Sequence, residues 1–196
     1  FFHIYIMGEQ SGSACTSFVL LHIIFVVNLV ALATPYWVSN EKTQSSTHSF
    51  EGLWQMCNRT HYDINCTRIN LDKTGGWFLA VQILWTLAFG LTIVGLMGYY
   101  IIFAIINMNV TRIYLVNSFV LITIKIAIIL MVTAVLLFSR HGMAESIVKP
   151  PRHFSRSYHT AIAGIILSLV TAAVLAHEHL YLTQIKLPYV EITAES

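Results

Sequence analysis

Charged side chains are scarce in this chain: they make up 10% of its 196 residues, whereas 56% of the residues are hydrophobic. An ordinary soluble domain carries roughly 25% charged residues, and a short chain cannot hide this much apolar surface in one core. Neither sign of charge dominates, because 11 Lys and Arg stand against 9 Asp and Glu without forming a basic stripe. A soluble domain and a nucleic-acid partner are therefore excluded as interpretations, and the lipid bilayer is the implied solvent.

Patterns that carry catalysis are also missing. The sequence contains no recognisable activated nucleophile, phosphate-binding loop or carboxylate pair. The run His177-Glu178-His179 lacks the i, i+4 histidine spacing of a zinc-binding HExxH helix. We therefore expect a protein that is not an enzyme, with no catalytic residue, no metal site, no cofactor and no small-molecule substrate.

Four apolar runs pass the length test of about 20 residues for a helix that crosses the hydrocarbon layer. They lie near residues 17–36, 77–106, 113–139 and 160–181. The whole chain, 1–196, is thus predicted to be a single membrane all-α domain, a four-transmembrane-helix bundle. Its two long loops are 37–76 and 140–159, and its tail is 182–196.

The first long loop contains two chemical signs of the luminal side. Asn58 and Asn65 each begin an Asn-X-Thr glycosylation acceptor, and Cys57 and Cys66 lie in the same loop. Glycans and disulfides both require the oxidising compartment. We therefore expect a multi-pass plasma-membrane protein with both long loops outside the cell and both termini in the cytoplasm.

The distribution of positive charge opposes this orientation. Two Lys or Arg residues, Arg112 and Lys186, lie on the side that we expect to be cytoplasmic. Eight lie in the two long loops, namely Lys42, Arg59, Arg68, Lys73, Arg140, Lys149, Arg152 and Arg156. We give the loop chemistry more weight, because acceptors and disulfides depend on the compartment directly, whereas charge bias is a statistical tendency.

The first loop also carries tryptophans and cysteines in a distinctive order. Trp37 stands at the membrane edge and is followed by Gly52-Leu53-Trp54, Cys57 and Cys66. This order, between the first two of four spans, resembles the signature of the claudin, peripheral myelin protein and epithelial membrane protein superfamily. The resemblance implies a small antiparallel β-sheet in this loop, a Cys57–Cys66 bridge between neighbouring strands and a free Cys15. It also suggests interfacial positions for Trp37 and Trp54, where an indole is half apolar and half wet.

This resemblance implies a non-enzymatic membrane protein that acts in cell–cell contact or membrane organisation through its disulfide-pinned loop and its helix packing. Two alternatives stay open: an auxiliary subunit that modulates an ion channel or receptor, and a paracellular barrier or pore. The second is weakened because the charges of the first loop cancel, whereas an ion filter needs a dominant sign. The expected partners are the lipid bilayer and other membrane proteins, either like molecules or a channel or receptor complex.

Lys125 lies at the centre of the third predicted span, where an unpaired charge is costly. One interpretation is contact with an acidic or carbonyl group of a partner protein. The other, which we favour from the sequence, is satisfaction inside the bundle, helped by snorkelling, by one of three polar residues: Asn28, Gln82 or Ser168.

Two further patterns lie in and after the fourth span. Small residues recur at every fourth position and predict a close-packing helix face, formed by Gly164, Ser168, Ala172 and Ala176. We expect this face to pack inside the bundle, with an oligomer contact as the alternative. In the tail, Tyr189 and Ile192 have the Tyr-x-x-apolar spacing of a sorting motif.

Overall fold

The computed structural model describes residues 2–41, 48–59, 63–69, 75–104, 110–144 and 152–194. These residues form the following helices and strands, in chain order: α1 (Phe2–Ala33), β1 (Val38–Glu41), β2 (His48–Glu51), β3 (Gln55–Arg59), β4 (Ile64–Arg68), α2 (Gly76–Ala104), α3 (Val110–Ala144), β5 (Arg152–Phe154) and α4 (Arg156–Ala194). The predicted combination of four long apolar helices with a small antiparallel sheet is confirmed.

Each helix contains a stretch that is long and apolar enough to cross a membrane. The four stretches are Cys15–Ala33, Gly76–Ile101, Tyr114–His141 and Arg156–Gln184. Helix α1 ends earlier than predicted, at Ala33, because Pro35 has no N–H and disfavours helical backbone at the residue before it. Helix α4 instead continues through most of the predicted tail.

The sheet has the strand order β4-β3-β2-β1-β5, and every neighbouring pair is antiparallel. Strands β1 to β4 come from the first long loop, as the resemblance implied. Strand β5 comes from the second long loop and pairs with β1, with Val38 opposite Phe154. It escaped prediction because three residues after the breakers Pro150 and Pro151 are too few to reveal an alternating pattern.

The chain folds into two compact units. The sheet unit comprises Val26–Phe89 and Ile129–Ile165, and the helical unit comprises Phe1–Phe25, Gly90–Ile128 and Ile166–Ser196. The whole sheet belongs to the sheet unit, together with the helix segments that support it.

Trp37 forms the centre of the sheet unit. Its side chain is 0% exposed, and its Nε1 donates a hydrogen bond of 2.7 Å to the Ala31 carbonyl in the last turn of α1. Its ring makes edge contacts, with centroid distances of 5.4 Å to Trp85, 5.0 Å to Phe138 and 6.2 Å to Tyr158. The interfacial, half-wet position suggested for Trp37 is therefore wrong. A free carbonyl at the helix end satisfies the indole N–H, so the whole ring is buried.

The first two residues of the Gly-Leu-Trp run anchor the sheet. A Cβ on Gly52 would overlap the backbone of Pro35, so only glycine permits this close approach. Leu53 is 0% exposed, and its carbonyl accepts a hydrogen bond from Gln82 Nε2 of α2. Trp54 is 39% exposed and presents part of its ring at the surface.

The contact at Gly52 makes a prediction about stability. In Gly52→Ala the new methyl group meets the Pro35 backbone, which cannot rotate away, and we expect a loss of about 1–3 kcal/mol from overpacking. The measurement is the apparent melting temperature in mild detergent. Gly90→Ala is the matched control, because nothing lies within 4 Å of its added Cβ and alanine favours a helix interior. Equal melting temperatures for the two variants would contradict the prediction.

Candidate functional site

A disulfide joins the edge strand β4 to its neighbour β3. Cys57 of β3 and Cys66 of β4 lie directly opposite each other and are bonded, with an S–S distance of 2.10 Å. Among the described strands β4 has β3 as its single neighbour, so this bond ties the edge strand to the rest of the sheet. Closing so short a loop stabilises the fold by about 2–4 kcal/mol, chiefly by restricting the unfolded chain.

The two glycosylation acceptors lie next to the disulfide. Asn58 and Asn65 face each other across β3 and β4, one position along from the cysteines, and both are exposed. Because side chains alternate between the faces of a strand, both asparagines share one face and the cysteines share the other. Thr60, the third residue of the first acceptor, lies outside the described residues. Glycans on these asparagines would cover one face of this strand pair and leave the other open.

The surface around β4 is a candidate contact site. All five residues of β4 are exposed, and Ile64 is 57% exposed. A groove of about 420 Å³ lies beside this strand, and its lining residues are Trp54, Gln55, Cys66, Thr67 and Arg68. We call it the β4 groove. It brings an indole and a guanidinium together, and Trp and Arg are enriched among the residues that dominate binding energy at protein interfaces.

A polar cluster connects all four helices in the helical unit. Ser17 Oγ of α1 donates to Glu178 Oε1 at 3.0 Å, and the Tyr99 hydroxyl of α2 donates to Glu178 Oε2 at 2.9 Å. The same hydroxyl lies 3.5 Å from Asn117 Oδ1 of α3. We call these four residues the Glu178 cluster. This role of Glu178 is missed from the sequence, where the residue enters only a rejected zinc pattern, although an acid inside an apolar span is itself a signal.

The histidines beside Glu178 point to different surroundings. His177 is exposed, whereas His179 Nδ1 lies 3.2 Å from Ser118 Oγ and its ring stacks on Tyr114 at 4.6 Å. Within the described part of the chain, no group of three His, Cys, Asp or Glu residues is arranged to hold a metal ion.

Lys125 is an exposed side chain on α3. The structure does not place it against the polar residues proposed above to satisfy it. Gln82 donates to the Leu53 carbonyl, and both amide atoms of buried Asn28 lack a hydrogen-bond partner. In the described ranges Lys125 itself has neither a hydrogen bond nor an ion pair. Satisfaction inside the bundle, the interpretation favoured from the sequence, is therefore not what the structure contains.

The first two small residues of the predicted α4 face point inward. Gly164 and Ser168 are buried, and Ala172 and Ala176 are half-buried. A Cβ on Gly164 would overlap the Asn28 side chain, so this glycine permits close packing of α4 on α1.

The remaining sequence-predicted residues lie on α1 and α4. Cys15 is an exposed free thiol at the start of the α1 span. Tyr189 and Ile192 lie within α4, whose helical backbone extends to Ala194.

The Glu178 cluster makes a prediction about stability. Glu178→Leu should lower the apparent melting temperature in detergent. It leaves the Ser17 hydroxyl without its acceptor, at about 1–3 kcal/mol, and leaves the Tyr99 hydroxyl with the longer contact to Asn117. Glu178→Gln keeps an acceptor oxygen and should cost less. His177→Leu, a change at the exposed neighbour, is the matched control and should melt as the unmodified protein does. A Glu178→Leu protein as stable as this control would disprove the role of the cluster.

Comparison with known families corrects the interpretation of the loop signature. The family model for lipoma HMGIC fusion partner-like protein matches residues 15–188. No claudin family model matches, so the assignment to the claudin, peripheral myelin protein and epithelial membrane protein superfamily is wrong. The order of Trp37, Gly52-Leu53-Trp54, Cys57 and Cys66 is not peculiar to that group, because this chain carries it. Among curated proteins the comparison found no match. The chain therefore belongs to the lipoma HMGIC fusion partner-like family of tetraspan membrane proteins.

Proposed function

We propose that this protein is a non-enzymatic plasma-membrane protein that binds neighbouring membrane proteins through the β4 groove. In this proposal the sheet lies outside the cell and both termini lie in the cytoplasm. The observation that supports it is strand β4, whose five residues are all exposed. A disulfide holds this strand in place, and the sheet behind it is anchored to the helices.

Rigidity makes this surface suitable for binding. A disulfide ties β4 to β3, and the sheet is fixed through Trp37 and the Gly52–Leu53 contact. A surface that is already ordered loses little conformational freedom when a partner binds, so more of the contact energy appears as affinity.

The chemistry of the groove favours a protein partner. Trp54 offers a partly exposed side chain, and Arg68 adds a positive charge to the lining of the same groove. The acceptors Asn58 and Asn65 lie on the face of the strand pair opposite to the disulfide. Glycans there would hinder partners on that face, to which Thr67 of the groove lining also belongs. They would leave Gln55, Cys66 and Arg68 accessible on the other face.

A second candidate function, an auxiliary subunit of a channel or receptor, is favoured by Lys125. Its charge is exposed on an apolar helix and has no partner in the described ranges. Such a charge is better suited to a stable complex inside the membrane than to contact between cells alone. The two functions are compatible, because the groove and Lys125 lie on different segments of the chain.

The groove is tested by crosslinking on intact cells with a reagent that does not cross membranes. Arg68→Glu, which reverses the charge in the groove, and Trp54→Ala, which removes the ring, should each reduce the yield of crosslinked complexes severalfold at equal surface expression. Aggregation of the expressing cells distinguishes contact between cells from association within one membrane.

The control for this experiment alters the opposite face. Asn58→Gln with Asn65→Gln should abolish the mass shift that glycosidase produces and should leave the crosslinked yield unchanged or higher. An unchanged yield in both groove variants would contradict the proposed function. A glycosidase shift that persists in the double asparagine variant would contradict the proposed orientation.

A further inference from the structure

Lys125 lies among exposed apolar side chains on α3. Its neighbours on this surface are Ile122, Ile126 and Ile129, which are 56%, 44% and 64% exposed. We call these four residues the α3 outer face. In a membrane the isoleucines contact lipid favourably, whereas the lysine ammonium does not.

The depth of Lys125 makes escape to water difficult. The α3 span is Tyr114–His141, and at 1.5 Å per residue Lys125 lies about 17 Å from Tyr114 and about 24 Å from His141. The hydrocarbon layer is about 30 Å thick, so Lys125 lies close to its middle. Snorkelling helps lysines near helix ends, but from this depth the side chain is too short to reach either headgroup layer.

The chain offers no acid of its own at this position. Within the four candidate spans the sequence contains one acidic residue, Glu178. Both of its carboxylate oxygens already accept hydrogen bonds, from Ser17 and Tyr99.

A second copy of the chain is poorly suited to bind the α3 outer face. A two-fold symmetric contact through the α3 outer face would bring one Lys125 against the other, and like charges repel strongly at low dielectric. The sole acid in the spans that a second copy could offer is again Glu178, which is half-buried and hydrogen-bonded.

We propose that the α3 outer face binds a transmembrane helix of a different protein, which carries an Asp or Glu side chain at the depth of Lys125. This inference rests on the proposed function, in which the protein holds neighbouring membrane proteins, and it specifies the chemistry of the intramembrane contact. The carboxylate neutralises the lysine, and the isoleucines pack against the apolar side chains of the partner helix. Because each charge is costly when it is unpaired in lipid, the pair selects for a partner with its acid at the matching depth.

The test uses a synthetic transmembrane helix of leucine and alanine with one aspartate at its midpoint. The full-length protein is reconstituted in phosphatidylcholine bilayers, and binding is measured by energy transfer between dyes on the peptide and the protein. The aspartate peptide should bind about tenfold more tightly than the same peptide with leucine at the midpoint. A peptide with the aspartate displaced by two helical turns should lose most of this advantage.

Substitutions at Lys125 identify the site. Lys125→Leu should abolish the preference for the aspartate peptide, and Lys125→Arg should retain it. Lys125→Asp should reverse it in favour of a peptide with lysine at the midpoint. Ile129→Leu, which alters the same face without changing its charge, is the matched control and should behave as the unmodified protein does. Because Lys125 is exposed, its variants should keep the melting temperature and the Cys57–Cys66 bond of the unmodified protein.

Four results would overturn the inference. They are equal binding of the aspartate and leucine peptides, a preference that survives in Lys125→Leu, self-association of the protein that Lys125→Leu removes, and loss of the preference when phosphatidylglycerol is added. The third result would identify a second copy as the occupant, and the fourth would identify a lipid phosphate. The crosslinking yield of Arg68→Glu is measured separately, so failure of the intramembrane contact is distinguishable from failure of the β4 groove.

Discussion

Burial of Trp37 is the constraint on which the sheet unit depends. Its indole N–H satisfies the Ala31 carbonyl at the end of α1, so the ring enters the space between helices without leaving a polar atom unpaired. The Trp37 backbone also bonds to the sheet. Its N–H donates to the Glu51 carbonyl of β2 at 3.0 Å, and its carbonyl accepts a hydrogen bond from the Ser155 N–H at 3.0 Å. One residue therefore joins the end of a helix, the central strands and the start of α4.

The position of the β4 groove follows from this anchoring. The disulfide fixes β4 to β3, and the remaining strand pairs connect β3 to β1, which begins immediately after Trp37. The sheet can therefore present an exposed edge strand without losing its register. The helical unit has its own polar connection in the Glu178 cluster, and Lys125 is a mid-span charge without a hydrogen bond or ion pair among the described residues. The proposed intramembrane partner supplies a carboxylate that neutralises this lysine.

The sequence predicted those features of the fold whose signal is local and strong. Apolar length predicted the four spans, and the family resemblance of the first loop implied a sheet with Cys57 and Cys66 on neighbouring strands. The sequence did not predict the burial and the partners of side chains whose surroundings depend on tertiary contacts. An indole at a membrane edge has the same local pattern whether it faces lipid or protein, so the burial of Trp37 required the fold. The surroundings of Glu178 and Lys125 depend on how the helices are rotated, which periodicity does not determine in uniformly apolar segments.

Hydrogen exchange in bilayer discs tests the anchoring most directly, with Trp37→Leu compared with the unmodified protein and with Trp77→Leu as a control that removes a less buried indole. We expect much faster amide exchange in β1 and β5 of Trp37→Leu, because leucine fills less of the cavity and leaves the Ala31 carbonyl without the indole donor. Exchange in the helix segment 114–128 should stay unchanged. Protection of β1 and β5 that is equal in all three proteins would contradict the claim that Trp37 holds the sheet on the helices.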